Sequence, residues 1–184
     1  GFAGPAGSRD PELVKNFWTI LENYRLTHCG NVQTTLGALA DIPVGDCDIS
    51  SLRVTPTGAS ICPPEIERRY LARWGGPCVQ QVYGMTEQSG AVSVLPPEDH
   101  DDPARAHRLV SAGRAISGVE IEIRDVATGD PVATGERGEV WVRSDQLMGG
   151  YWNQPESAAA TITPDGWLRS GDGGYLRLGQ LAVG

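Results

Sequence analysis

Two periodicities divide this chain. In the first half apolar residues recur at helical spacing; in the second they alternate with charged ones. Leu13, Phe17, Ile20, Leu21 and Tyr24 share a helix face, and Asp10-Pro11-Glu12 supplies a cap, a first-turn proline and a dipole-favoured acid, so the spacing predicts a helix over 11–25. A short strand over Leu26–Cys29 and a second helix over Thr34–Ala40 follow. Leu52-Arg53-Val54-Thr55 predicts a buried strand ending in the loop Pro56-Thr57-Gly58-Ala59-Ser60. Pro63-Pro64 opens the next helix, with Ile66, Tyr70 and Trp74 on one face, Glu65 spaced to pair with Arg68 and Arg69, and Gly75-Gly76 as its stop. Val79–Tyr83 then reads as a strand running into Gly84-Met85-Thr86-Glu87. Helix, strand, loop, helix, strand is the rhythm of an α/β sheet.

Residues 96–108, PPEDHDDPARAHR, are polar and proline-bearing and predict a surface connector. Beyond them Val119, Ile121 and Ile123 alternate with Glu120, Glu122 and Arg124, the signature of a half-buried antiparallel strand. Thr128-Gly129-Asp130-Pro131, Glu136-Arg137-Gly138 and Asp165-Gly166 mark turns, and Val140 and Val142 continue the alternation. The expected organisation is a partial α/β subdomain over 1–95, a connector over 96–108 and a small antiparallel β-barrel or sandwich over 109–184.

Composition narrows the functional classes. With 15 basic against 23 acidic residues the net charge is −8, which argues against general nucleic-acid binding. No apolar run approaches the length of a membrane helix, and the first residues lack the features of a signal peptide. The basic residues are 14 arginines and one lysine, Lys15. Cys29, Cys47, Cys62 and Cys78 lie 18, 15 and 16 residues apart, too widely for a zinc site, and read as reduced, mostly buried thiols of a cytoplasmic protein.

Three short segments could carry chemistry. Tyr83-Gly84-Met85-Thr86-Glu87 ends a predicted strand, where ligands of α/β sheets bind. Its threonine hydroxyl suits a phosphate oxygen and its glutamate suits Mg2+; the same residues also read as a tight turn with a solvated Thr and Glu. Gly58-Ala59-Ser60 could lie flat against a planar ring, or be only a turn. In Gly171-Asp172-Gly173 a carboxylate between glycines could accept two hydrogen bonds from a ribose diol, or form an Asx turn.

Taken in order, these segments resemble the AMP-forming adenylating enzymes, and within them the acyl-CoA synthetases that join carboxylates, fatty acids included, to CoA. The resemblance rests on QVYGMTEQSG, on Gly138-Glu139, Gly150-Tyr151 and Pro155-Glu156, and on Gly166-Trp167 with Ser170-Gly171-Asp172, and it covers about residues 10 to 178. It implies that Gly58, Ala59 and Ser60 contact adenine and that Tyr83 stacks near it. Gly84 would line the acyl channel beside Met85, in the same nucleotide-binding stretch. Thr86 would bond the α-phosphate, Glu87 would ligate Mg2+, and Asp172 would hold both ribose hydroxyls; Thr86 and Glu87 are the implied catalytic pair. The implied cofactors are ATP or AMP and Mg2+, with CoA as co-substrate. A carboxylate attacks the α-phosphorus of ATP to give acyl-AMP and pyrophosphate, and the CoA thiol then displaces AMP.

The family's glycine-rich phosphate loop with its lysine has no counterpart here, nor has the C-terminal lid with its catalytic lysine. Lys15 sits on a predicted amphipathic helix. The expectation is an internal fragment of the large N-terminal domain that is inactive alone. Ser60, and Gln33 before Thr34, stand where the family usually has proline, and GGYLRLGQLAVG departs from its usual acidic continuation. Two alternatives remain: a non-catalytic nucleotide-binding or decayed remnant, and part of an amino-acid adenylation domain, which usually has proline where this chain has Met85.

Overall fold

A computed structural model describes residues 7, 10–74, 79–96, 99 and 111–183. The chain forms two compact units, 1–81 with 96–110, and 82–95 with 111–184. Residues 82–95, which the sequence pattern groups with the first half, therefore go with the second. The expected connector over 96–108 lies outside the described residues except at Pro96 and Asp99, as do Gly75, Gly76 and Cys78.

The first unit is α/β. Its elements are α1 (Pro11–Lys15), α2 (Phe17–Tyr24), β1 (Asn31–Val32), α3 (Gln33–Asp41), β2 (Thr55–Gly58), α4 (Pro64–Trp74) and the start of β3 (Val79–Met85). β1 pairs with β2, and β2 with β3, all in parallel. The helix expected over 11–25 breaks at Asn16, whose side-chain amide donates to Glu12 O at 2.8 Å and competes with the helical ladder. Arg25, at φ 45°, ends α2 in the left-handed conformation.

Two expected strands sit elsewhere. Leu26–Cys29 contributes only a single bridge, His28 to Val54, and β1 lies beyond it. The strand expected at 52–55 runs instead from Thr55 to Gly58. Its inward residues are threonines rather than aliphatics: Thr55 and Thr57 are buried, and the Thr55 hydroxyl meets the Tyr70 hydroxyl at 3.1 Å. A strand whose buried positions are polar, Thr55 hydrogen-bonded to Tyr70 and Thr57 with its hydroxyl unpartnered among the described residues, is invisible to a hydrophobicity pattern. Around it Trp18 stacks on Tyr70 at 6.2 Å between centroids and packs with Phe17, Leu21, Leu36, Leu39, Leu52 and Val79. Arg68 pairs with Glu65 as expected, but Arg69 reaches Asp41 on α3 instead. Of the described cysteines Cys62 is buried and Cys29 and Cys47 half-buried, all three as free thiols; burial, then the Glu67 charge, pushes Cys62 up to about 11.

The second unit is a curled antiparallel half-barrel. β4 (Gly90–Leu95) pairs antiparallel with β5 (Arg114–Ala115). β6 (Val119–Arg124), β7 (Gly138–Ser144), β8 (Leu168–Arg177) and β9 (Gln180–Val183) form a four-stranded antiparallel sheet in that order. A bridge from Gly113 to Leu181 curls the two ribbons together around Val92, Val119, Ile123, Val140, Val142 and Leu181. Gly113 must be glycine, because a Cβ there would lie 2.0 Å from the Val94 carbonyl.

The alternation over 119–124 matches β6 residue for residue, and the turn after it is tied by Asp125, whose carboxylate accepts from Ala127 N and Thr128 N. One helix among the described residues of this unit escapes the hydrophobic pattern. In α5 (Pro155–Thr161) no residue is buried, so it has no apolar stripe to be read. Leu178 and Gly179, both at positive φ, turn β8 into β9. No helix among the described residues is long and apolar enough to cross a membrane.

Candidate functional site

In the first unit β2 ends in Gly58, followed by exposed Ala59 and Ser60. Ala59 adopts φ 69°, a left-handed conformation that costs a non-glycine residue about 1 kcal/mol or more. Side chains brace the loop. The Gln33 amide, in the first turn of α3, donates to the Ser60 hydroxyl, and Cys62 N donates to Gln81 Oε1 at 3.3 Å. Where the resembled family has prolines, this chain thus has a hydrogen-bonded pair.

The remaining expected residues lie in the second unit. Tyr83 and Met85, two apart on β3, share a face and are half-buried against the half-barrel core. Gly84 points the other way, and its lack of a side chain has an internal cause: a Cβ would fall 2.0 Å from Gly90 O. Close approach of β4 requires glycine there, with or without a ligand. Thr86 and Glu87 open a 3-10 turn, Thr86–Gln88, closed by Ser89 at φ 55°. Thr86 is exposed, Glu87 half-buried and Gln88 buried.

Asp172 arrives on β8 and meets the end of β3. The Tyr83 hydroxyl donates to Asp172 Oδ2 at 2.6 Å. Burial first, and then this hydrogen bond to a carboxylate, push the Tyr83 phenol far above its ordinary value, so it is a fixed donor at neutral pH. Two blocks far apart in sequence lock the Asp172 backbone. Gly171, at φ 76°, donates its N–H to Glu139 Oε1 at 2.9 Å, opposite an irregularity in the β7–β8 register. The Ser170 hydroxyl donates to Val140 O at 2.6 Å and accepts from Asp172 N at 3.0 Å. Asp172 is therefore no Asx turn but a strand residue held from both sides. A carboxylate offers about four acceptor positions, so one bond from Tyr83 leaves capacity for a diol.

The last residue of β7 and the segment after it hold the Thr86–Gln88 turn. Ser144 Oγ donates to Gln88 Oε1 at 2.6 Å, Met148 N to Glu87 O at 2.8 Å, and Tyr151 Oη to Glu87 Oε1 at 2.8 Å. Pattern reasoning on the sequence assigned no role to Glu139, Ser144, Ser170 or Tyr151. For Glu139, Tyr151 and Ser170 the available signal is their place inside the Gly138-Glu139, Gly150-Tyr151 and Ser170-Gly171-Asp172 blocks; Ser144 lies outside them.

A family profile described as AMP-binding enzyme matches residues 3–152. The chain belongs to this family. It is 35% identical over 153 residues to a 4-coumarate–CoA ligase-like protein of Oryza sativa subsp. japonica, covering 83% of this chain and 25% of that one. It is 37% identical over 154 residues to the medium/long-chain-fatty-acid–CoA ligase FadD8 of Mycobacterium tuberculosis, covering 83% and 26%. The amide bond synthetase McbA of Marinactinospora thermotolerans superposes with a TM-score of 0.83 at 36% identity, over 92% of this chain and 33% of its own. The chain thus spans about a quarter to a third of the length of these relatives. Its two units, one α/β and one antiparallel half-barrel, have the fold class that its motifs led us to expect.

Proposed function

We propose that this chain forms part of the nucleotide- and acyl-binding site of an ATP-dependent acyl- or aryl-CoA ligase. In this reading Asp172 takes the ribose hydroxyls, Tyr83 faces adenine, and Gly84 and Met85 lie in the same stretch of the second unit. Thr86 bonds the α-phosphate and Glu87 holds Mg2+. One carboxylate beside substrate phosphates is how proteins commonly hold this ion, and Glu87 next to Thr86 fits it. Mg2+ would neutralise charge as a carboxylate attacks the α-phosphorus. CoA then receives the acyl group through its thiol. The relatives' names, which cover hydroxycinnamate and fatty-acid ligases, make an aromatic or aliphatic carboxylate the substrate class. The free thiols at Cys29, Cys47 and Cys62 suit a cytoplasmic setting.

One observation carries this reading: the 2.6 Å contact joining Tyr83 at the end of β3 to Asp172 on β8, 89 residues apart in sequence. Titration of the chain with AMP, or with a non-hydrolysable acyl-AMP analogue, tests it. Binding should vanish in Asp172→Ala; binding that survives that change would remove the ribose role, and no binding at all would favour a remnant. By itself the 184-residue chain should give no pyrophosphate exchange with any of a panel of carboxylates, because the phosphate-loop and lid lysines that the resemblance implies have no counterpart among its residues. A second reading, favoured by the likeness to an amide bond synthetase, replaces the thiol acceptor with an amine. Competition between CoA and amines in a complete enzyme separates the two.

A further inference from the structure

The Gly149-Gly150-Tyr151 stretch is part of the family resemblance, yet neither nucleotide nor acyl binding explains it. Its surroundings supply an explanation. Five hydrogen bonds run between the segment 144–151 and the turn 86–91. Three were given above, and Ser89 Oγ to Gln146 O at 2.9 Å and Gln146 Nε2 to Ala91 O at 2.8 Å complete them. Four of the five fix backbone or the buried Gln88. The fifth alone touches a group that could meet substrate, since it holds the Glu87 carboxylate itself.

The geometry points to Tyr151 as the positioning residue for Glu87; this rests on the reading of Glu87 as the Mg2+ ligand. A free glutamate side chain rotates about three bonds, whereas Mg2+ tolerates little departure from octahedral geometry. Here Glu87 is pinned at both ends. Its carbonyl accepts from Met148 N, and its Oε1 accepts from Tyr151. Oε2, which makes no hydrogen bond among the described residues, is then left as the metal-facing oxygen. Gly150 sets up the contact: it turns at φ 133°, and a Cβ there would come within 3.3 Å of Ala158 Cβ on α5, so the chain can pass close to α5 before Tyr151. Groups that orient a ligand carboxylate are typically worth about 10- to 100-fold in metal affinity.

The test is ATP titration of the wild-type chain, Tyr151→Phe, Glu87→Gln and the double variant, each in excess Mg2+ and in EDTA, with AMP in EDTA as a metal-free arm. Wild type should bind ATP more tightly with Mg2+. Tyr151→Phe should lose about tenfold of that advantage, some 1.4 kcal/mol, while its metal-free ATP and AMP affinities stay within about twofold of wild type. The double variant should be no worse than Glu87→Gln. A Tyr151→Phe chain that keeps the whole Mg2+ advantage overturns the proposal. So does one that loses affinity equally with and without metal, since that is the mark of a purely structural role. A wild type with no Mg2+ advantage, and no response to Glu87→Gln, overturns the reading of Glu87 and this proposal with it.

Discussion

Replacing Tyr83 with phenylalanine removes one oxygen and keeps the ring, so it isolates the contact on which the site reading depends. The ring still packs against the half-barrel core; what disappears is a 2.6 Å O–H donation to the Asp172 carboxylate. Hydrogen bonds to charged groups are worth about 1.5–3 kcal/mol net, and because both partners are half-exposed the lower end applies, about 1.5 kcal/mol. In a chain of this size that is a fall of roughly 3–6 °C in Tm. Alkaline pH provides an internal check. The phenol's folded pKa is raised above its ordinary value of 10.0, so its stabilisation is complete below pH 10 and is lost as pH rises beyond it. The wild type's advantage over Tyr83→Phe should therefore be constant at neutral pH and shrink above pH 10. Urea unfolding at a series of pH values measures both. The substitution leaves the carboxylate in place for a ribose, so AMP affinity should change by less than about threefold. A variant as stable as wild type to within about 0.3 kcal/mol would show that the contact carries no energy and would refute the reasoning.

Two further changes probe the framework around the site. Gly84→Ala forces a Cβ to within 2.0 Å of Gly90 O, so β3 and β4 must separate; we expect a loss of more than about 2 kcal/mol in urea unfolding, or failure to fold, even without ligand. Arg124 is ion-paired to Glu122 at 2.7 Å and lies 4.4 Å from the Trp141 ring and 5.0 Å from the Trp167 ring. Its side chain is only 16% exposed, so Arg124→Ala should cost about 2 kcal/mol in the same assay, with Arg124→Lys recovering part and salt having little effect. A change below about 0.5 kcal/mol would mean the arginine–tryptophan stack is incidental.

Period and punctuation alone placed several elements closely. Residues 119–124 alternate without a break and form a strand with one face on the core. Pro64 to Trp74 carries its own opening signal and pairs Glu65 with Arg68 one turn on. Such features are local, so neighbouring residues suffice to specify them. The strand from Thr55 to Gly58 lies off the hydrophobic pattern because its inward residues are threonines, and the hydroxyl that meets Thr55, on Tyr70, comes from 15 residues away. The helix from Pro155 to Thr161 buries nothing and so leaves no apolar trace.

For the site, the residue types at 83–87 and 170–172 were legible as chemistry, since a hydroxyl beside a carboxylate and an aspartate between glycines state their capacities in any fold. Where they meet was not legible. That Tyr83 touches Asp172, that Glu139 and Ser170 hold the aspartate's backbone, and that Tyr151 grips Glu87 depend on β7 and β8 pairing with a register irregularity between Glu139 and Trp141. Register is set by which faces the core buries and where an extra residue is absorbed, a property of the packed sheet rather than of any one strand. Gly84 illustrates both levels. Its position in the motif could be read directly, but the Gly90 carbonyl that forbids a side chain there exists only once β4 folds back against β3.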